Sequence, residues 1–209
     1  MRILIVTVRV PFVNAVFPEA RFVQIVRDGR DATASIVDRW TSGPRLQYLL
    51  RKARFVPTAD VPRYAWRFLR ARFLQVGSRT RHLPTWGPRF QGMDALVRSD
   101  PLLRVCARQW ERCVALSSDA LEPMLPERWI RVRYEELALD PTSTITRILS
   151  WLGASAEASS PGAVGGAVAQ VRAGRSGIWN DRVPARDMEI TRDVLEPAMI
   201  RLGYTWTET

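Results

Sequence analysis

A run of β-branched and aromatic residues, Arg21-Phe-Val-Gln-Ile-Val26, stops abruptly at Arg27-Asp-Gly-Arg30, and this junction constrains the fold more than any other stretch. The run reads as a buried strand. Gly29 permits a tight turn, Asp28 or Asp31 can cap the next element, and Ala32, Ala34, Ile36 and Val37 suit a helix running toward Trp40. The order strand, loop, helix recurs later. Residues 129–133 form a second predicted strand leading into Tyr134-Glu-Glu-Leu137, after which Asp140-Pro141 caps a helix carrying Ile145, Ile148, Leu149 and Leu152 to a stop at Gly153. Between the two units, Ser99-Asp-Pro101 opens a helix with Leu102, Val105, Cys106, Gln109, Trp110 and Cys113 along one face. Strands alternating with helices predict an α/β fold with a mainly parallel sheet and helices on both faces.

Towards the C-terminal end the signals weaken. Residues 154–169 are rich in small side chains and read as a loop, and Gly162, Gly165 and Gly166 make no Walker loop because no Lys-Ser or Lys-Thr follows. A last helix is predicted from about Asp187 to Leu202, with a kink at Pro197.

With 209 residues and 46% hydrophobic content, the chain suits one domain with a real core, residues 1–209. Residues 41–95 differ from the rest. Five prolines interrupt them, and they hold eleven basic residues, Lys52 among them, with Tyr64, Trp66, Phe68 and Phe73 interleaved along a possible basic helix from Pro62 to Leu74. This segment reads as a variable insert and is the best candidate for meeting an acidic partner or an acceptor. The net charge is +10, and every basic residue except Lys52 is arginine, whose planar fork suits phosphate and carboxylate. Cys106 and Cys113 lie two turns apart on one predicted helix, roughly 10 Å along its axis, out of reach of a disulfide. The apolar run from Ile3 to Val8 is too short to span a membrane. A soluble, cytoplasmic protein is expected.

Ligands of parallel sheets bind at the carboxyl ends of strands, and anions favour the helix N-terminus, where backbone N–H groups lack partners. Arg27 ends the first strand and Ser35 follows in the next helix, so a guanidinium and a hydroxyl can hold one phosphate from two sides. Arg39 lies one turn beyond Ser35 on the same face. On spacing alone a second reading stands beside this one, in which Arg27 pairs with Asp28 or Asp31 and Ser35 is an ordinary helical serine.

The stretch from Phe17 to Ser35 closely resembles the strand and helix that bind the donor 3′-phosphate in sulfotransferases using 3′-phosphoadenosine 5′-phosphosulfate. Arg39 resembles an additional donor-binding arginine of the tyrosylprotein sulfotransferase branch. Val132-Arg-Tyr-Glu-Glu-Leu137 with Asp140-Pro141 is similar to the family's tyrosine loop, and Leu202-Gly-Tyr204 to its C-terminal ending. The resemblance implies a P-loop-like parallel-sheet fold and sulfuryl transfer from that donor to a hydroxyl or amine. It implies 3′-phosphate binding by Arg27 and Ser35, a helper role for Arg39, and an adenine or ribose contact by Tyr134. Arg175-Ser-Gly177 with Trp179 resembles the basic loop that closes over the nucleotide, which puts Arg175 among the donor contacts. The family's loop for the 5′-phosphosulfate is not found before residue 10, so an N-terminally truncated member is expected. No metal is implied.

No catalytic residue is assigned. The sole histidine, His82, has a pKa suited to a general base, yet it lies in the basic segment and reads as a surface side chain. Two other readings follow from the residues. The chain is either an inactive remnant or a basic module gripping nucleic acid or another polyanion, although no nucleic-acid fold pattern is present. A glycosyltransferase start at Met1-Arg-Ile-Leu-Ile-Val6 lacks the Gly-rich turn that should follow.

Overall fold

A computed structural model describes residues 9–41, 66, 87–155, 160–171 and 177–206. The apolar run at residues 3–8, Lys52, His82, Arg175 and all of the predicted basic helix except Trp66 lie outside those residues. The chain divides into two compact units, residues 1–35 with 88–209, and residues 36–87. Of the second unit, the end of one helix, Trp66 and Gly87 are described, and Trp66 is helical and exposed.

In the first unit, α1 (Val10–Val16) precedes β1 (Phe22–Val26), and α2 (Gly29–Thr41) begins there and runs into the second unit. After the second unit come α3 (Met93–Ser99), α4 (Leu102–Leu121), a short 3-10 turn (Pro126–Arg128) and β2 (Trp129–Arg133). The chain continues through α5 (Tyr134–Leu139), α6 (Pro141–Trp151), α7 (Pro161–Val168), α8 (Ala185–Glu189) and α9 (Arg192–Arg201). The two described strands are parallel, in register from Phe22 opposite Trp129 to Val26 opposite Arg133. A parallel pair cannot be closed by a tight turn, and here the connection carries α2, α3 and α4. Mixed helices with a parallel strand pair agree with the α/β expectation.

The α4 helix is the organising element. Val105, Cys106, Gln109, Trp110, Val114, Ser117, Ser118 and Leu121 recur at helical spacing and are buried, while Leu102 and Cys113, predicted for the same face, are half-buried. Its C-terminal end joins a core of Val10, Phe22 and Leu121, with Val13, Met124 and Trp129 packed against it. Strand β1 alternates as a half-covered strand should: Phe22, Gln24 and Val26 face the core, and Ile25 on the other face is exposed. Gln24 is tolerated inside because its amide is fully engaged. Its Nε2 donates to Ser117 Oγ (2.9 Å) and Ser118 Oγ (3.1 Å), and its Oε1 accepts from Arg131 Nε (2.8 Å).

Three sequence expectations are corrected. Residues 161–168 are helix α7 and not loop: Ser160 caps it by accepting from Ala163 N–H, Pro161 occupies the first turn, and small residues let it pack against α6 with Val164 buried. The single helix predicted near residues 187–202 is two, α8 and α9. The break falls at Ile190-Thr191, where the buried Thr191 hydroxyl donates to Met188 O (2.6 Å), and α9 continues through Pro197. Gly29 answers a packing demand and not a turn conformation, because its φ is not positive. A Cβ at that position would stand 2.9 Å from Trp110 Cζ3 and 3.2 Å from Met199 Cγ.

Candidate functional site at the carboxyl ends of the strands

Strand register explains how the site assembles. Val26 lies opposite Arg133, so the next residues along each parallel strand, Arg27 and Tyr134, emerge side by side although 107 positions separate them. The Arg27 guanidinium lies over the Tyr134 ring, 4.7 Å from its centroid, a cation–π arrangement. Arg27 Nη1 donates to Ser35 Oγ (3.3 Å), and Arg27 Nη2 pairs with Asp31 Oδ2 (3.2 Å). Arg27 is therefore ion-paired with Asp31, as the second reading has it, and it also meets Ser35.

The start of α2 is closed by an exchange of partners. Asp28 is the cap, its Oδ1 accepting the Arg30 backbone N–H (2.8 Å), and its carboxylate also holds the Arg30 guanidinium. In an ordinary capping box, the third helical residue reaches back to the N–H of the cap residue. That third residue is Asp31, and it is directed elsewhere, to Arg27 and to the Gly177 N–H (2.7 Å). Glu135 serves the cap instead: its Oε1 accepts the Asp28 N–H (2.9 Å), and its Oε2 accepts the Tyr204 hydroxyl (2.6 Å).

One carboxylate in the first turn of α5 thus ties together the Arg27 turn, α5 and the Leu202-Gly-Tyr204 segment. Arg133 completes that corner, stacking 4.1 Å from the Tyr204 ring centroid and donating to Gly203 O (3.1 Å). Burial first, and then the hydrogen bond to Glu135, push the Tyr204 phenol well above its usual range. On the other side, Trp179 is buried with the Arg30 guanidinium 5.1 Å from its ring, and the same guanidinium lies 5.4 Å from Trp206.

Arg27, Ser35 and Tyr134 are therefore brought together. Arg39 is exposed in the last turn of α2. Arg175 lies outside the described residues, but Gly177 and Trp179, from the same predicted basic loop, meet Asp31 and Arg30. Sequence reasoning missed Glu135 as the link between segments, although it adjoins Tyr134. It saw Asp31 only as a capping candidate or ion-pair partner, because a bond from residue 31 to residue 177 leaves no local pattern.

Residues 70–158 match the family model described as Sulfotransferase family. Over those residues the chain is similar to the sulfotransferase family. The matched residues include β2 and Tyr134, whereas Arg27, Ser35, Arg39 and Arg175 fall outside them. No curated protein and no solved structure matches the chain. Among the described residues, no helix is long and apolar enough to cross a membrane.

Proposed function

We propose that this chain is a sulfotransferase that takes its sulfuryl group from 3′-phosphoadenosine 5′-phosphosulfate, with Arg27 and Ser35 receiving the donor's 3′-phosphate and Tyr134 contacting its adenine or ribose. The observation that carries this reading is the convergence of Arg27, Ser35 and Tyr134 where a strand gives way to the N-terminus of α2. A guanidinium and a hydroxyl there supply charge-assisted donors to a dianion, and the helix N-terminus adds a favourable field. The aromatic ring beside them offers a flat face to a base. Arg39 and Arg175 are proposed as further cationic contacts for the donor. A P-loop-like parallel sheet, extended beyond the two described strands, belongs to the same reading.

In sulfuryl transfer the acceptor hydroxyl or amine forms a bond to sulfur, the bond from sulfur to the donor's phosphate oxygen breaks, and the acceptor proton passes to a base. The residues named here bind and orient the donor. They leave the base and the acceptor unassigned.

Calorimetric titration with adenosine 3′,5′-bisphosphate, the donor's product form, tests the assignment. Binding by the wild-type chain is expected, with at least a tenfold loss in Arg27→Ala, since a charge-assisted pair contributes on the order of 1.5–3 kcal/mol. No binding by the wild type, or equal binding by both, would overturn it.

A further inference from the structure

Asp31 has a burial and a set of partners that a simple helix cap does not explain. It is 1% exposed, and a buried carboxylate is costly unless it meets a cation and hydrogen-bond donors. An ionised carboxylate can only accept. Its Oδ2 accepts the Gly177 N–H at 2.7 Å and pairs with Arg27 Nη2 at 3.2 Å. Oδ1 is also buried and has no hydrogen bond among the described residues. Gly177 has φ +72°, a conformation that favours glycine, and two residues later Trp179 packs on Arg30, the neighbour of Asp31. The segment from residue 177 is therefore fastened to two consecutive residues in the first turn of α2.

We infer that Asp31 is a positioning residue, fixing the orientation of the Arg27 guanidinium and joining it to the Gly177 segment so that the two form one seat selective for a ribose 3′-phosphate. The inference rests on the proposed donor assignment and adds to it the residue that sets its selectivity. Arg27 is gripped from two sides, by Asp31 through Nη2 and by Ser35 through Nη1. Removing the Asp31 charge turns the ion pair into a weaker, neutral contact and loosens the guanidinium, which keeps Ser35 and the Tyr134 ring beside it. Asn at position 31 is nearly isosteric and keeps an oxygen to accept from Gly177 N–H, so the charge is the part removed.

The experiment compares two ligands, adenosine 3′,5′-bisphosphate and adenosine 5′-phosphate, on the wild type and on Asp31→Asn by calorimetry, with melting temperature followed in parallel. The wild type is expected to prefer the bisphosphate. Asp31→Asn should lower that preference at least tenfold while changing 5′-phosphate affinity less than twofold. Retention of the full preference in the variant, or an equal loss for both ligands, overturns the positioning role and leaves the donor assignment standing. A wild type with no preference for the 3′-phosphate overturns the donor assignment itself. If Asp31→Asn does not fold, hydrogen exchange on the wild type decides: the bisphosphate should slow exchange in the peptide carrying Gly177 more than the 5′-phosphate does, and equal protection refutes the link.

Discussion

Gly29 shows how a residue read for one property can be needed for another. Sequence placed it at a turn, where glycine's freedom of φ is the usual explanation. The structure gives it an ordinary φ and a tryptophan in the space a methyl group would take, 2.9 Å from an ideal Cβ. Trp110 comes from α4 and Met199 from α9, so the missing side chain at Gly29 lets three helices approach at the start of α2. The methyl in Gly29→Ala would meet ring carbons that have little room to retreat in a packed core. Overpacking of this kind costs about 1–3 kcal/mol, more than the few tenths to 1 kcal/mol that alanine recovers through helix propensity. Chemical denaturation should show a lower midpoint for Gly29→Ala with an unchanged slope. A variant as stable as the wild type would mean that Trp110 can move aside freely.

Secondary-structure elements were legible wherever local chemistry agreed with tertiary demand. Asp140-Pro141 announces α6, and the Asp140 carboxylate does accept the Ser143 N–H (3.0 Å), while Gly153 ends that region with φ +82°. Residues 129–133 read as a strand because β-branched and aromatic residues there precede the polar Tyr134-Glu-Glu segment, and β2 has those bounds, although that segment is helix α5 and not a loop. Helix α7 was hidden because three glycines weaken its propensity, and packing on α6 overrides that weakness. Within the candidate site, Arg27, Ser35 and Tyr134 were visible as sequence features. The carboxylates that fasten them were not understood, since the links from Glu135 to Tyr204 and from Asp31 to Gly177 cross 69 and 146 positions.

Pro197 gives this scale its own test. It sits inside α9, exposed, where it can donate no N–H to the carbonyl one turn back. Restoring that donor in Pro197→Ala should raise the melting temperature, because proline in a helix interior costs up to about 3 kcal/mol relative to alanine. An unchanged or lower melting temperature would show that the ring itself is packed or that the unfolded chain gains as much freedom as the helix gains in bonding.

At the scale of the whole molecule, the acid-base balance makes the alkaline limb of stability the informative one. Arginine supplies all but one of the basic residues, and it keeps its charge at any pH where a protein is ordinarily handled, so the chain stays cationic as pH rises. Among the described residues, two thiols and one phenol are shifted upward on this limb. Burial pushes the Cys106 thiol up to about 12 and the Cys113 thiol up to about 11, from an ordinary 9.0, and Tyr204 is raised above its ordinary 10.0 by burial and by Glu135.

Each of these groups holds its proton more tightly in the folded chain than in the unfolded one. Their contribution is fully present below pH 9. It is lost progressively as pH rises from 9 toward 11 and 12, the unfolded thiols ionising first and Tyr204 adding to the decline above 10. Each buried group adds a slope of up to about 1.4 kcal/mol per pH unit while its unfolded form is ionised and its folded form is not. Urea denaturation from pH 7 to 11 should give a level midpoint up to about pH 9 and a steepening fall beyond it. Both thiols should resist alkylation at pH 8 until the chain unfolds, since the thiolate is the reactive form. A midpoint that stays level to pH 11, or rapid alkylation of the folded protein at pH 8, would show that α4 does not bury its cysteines in solution.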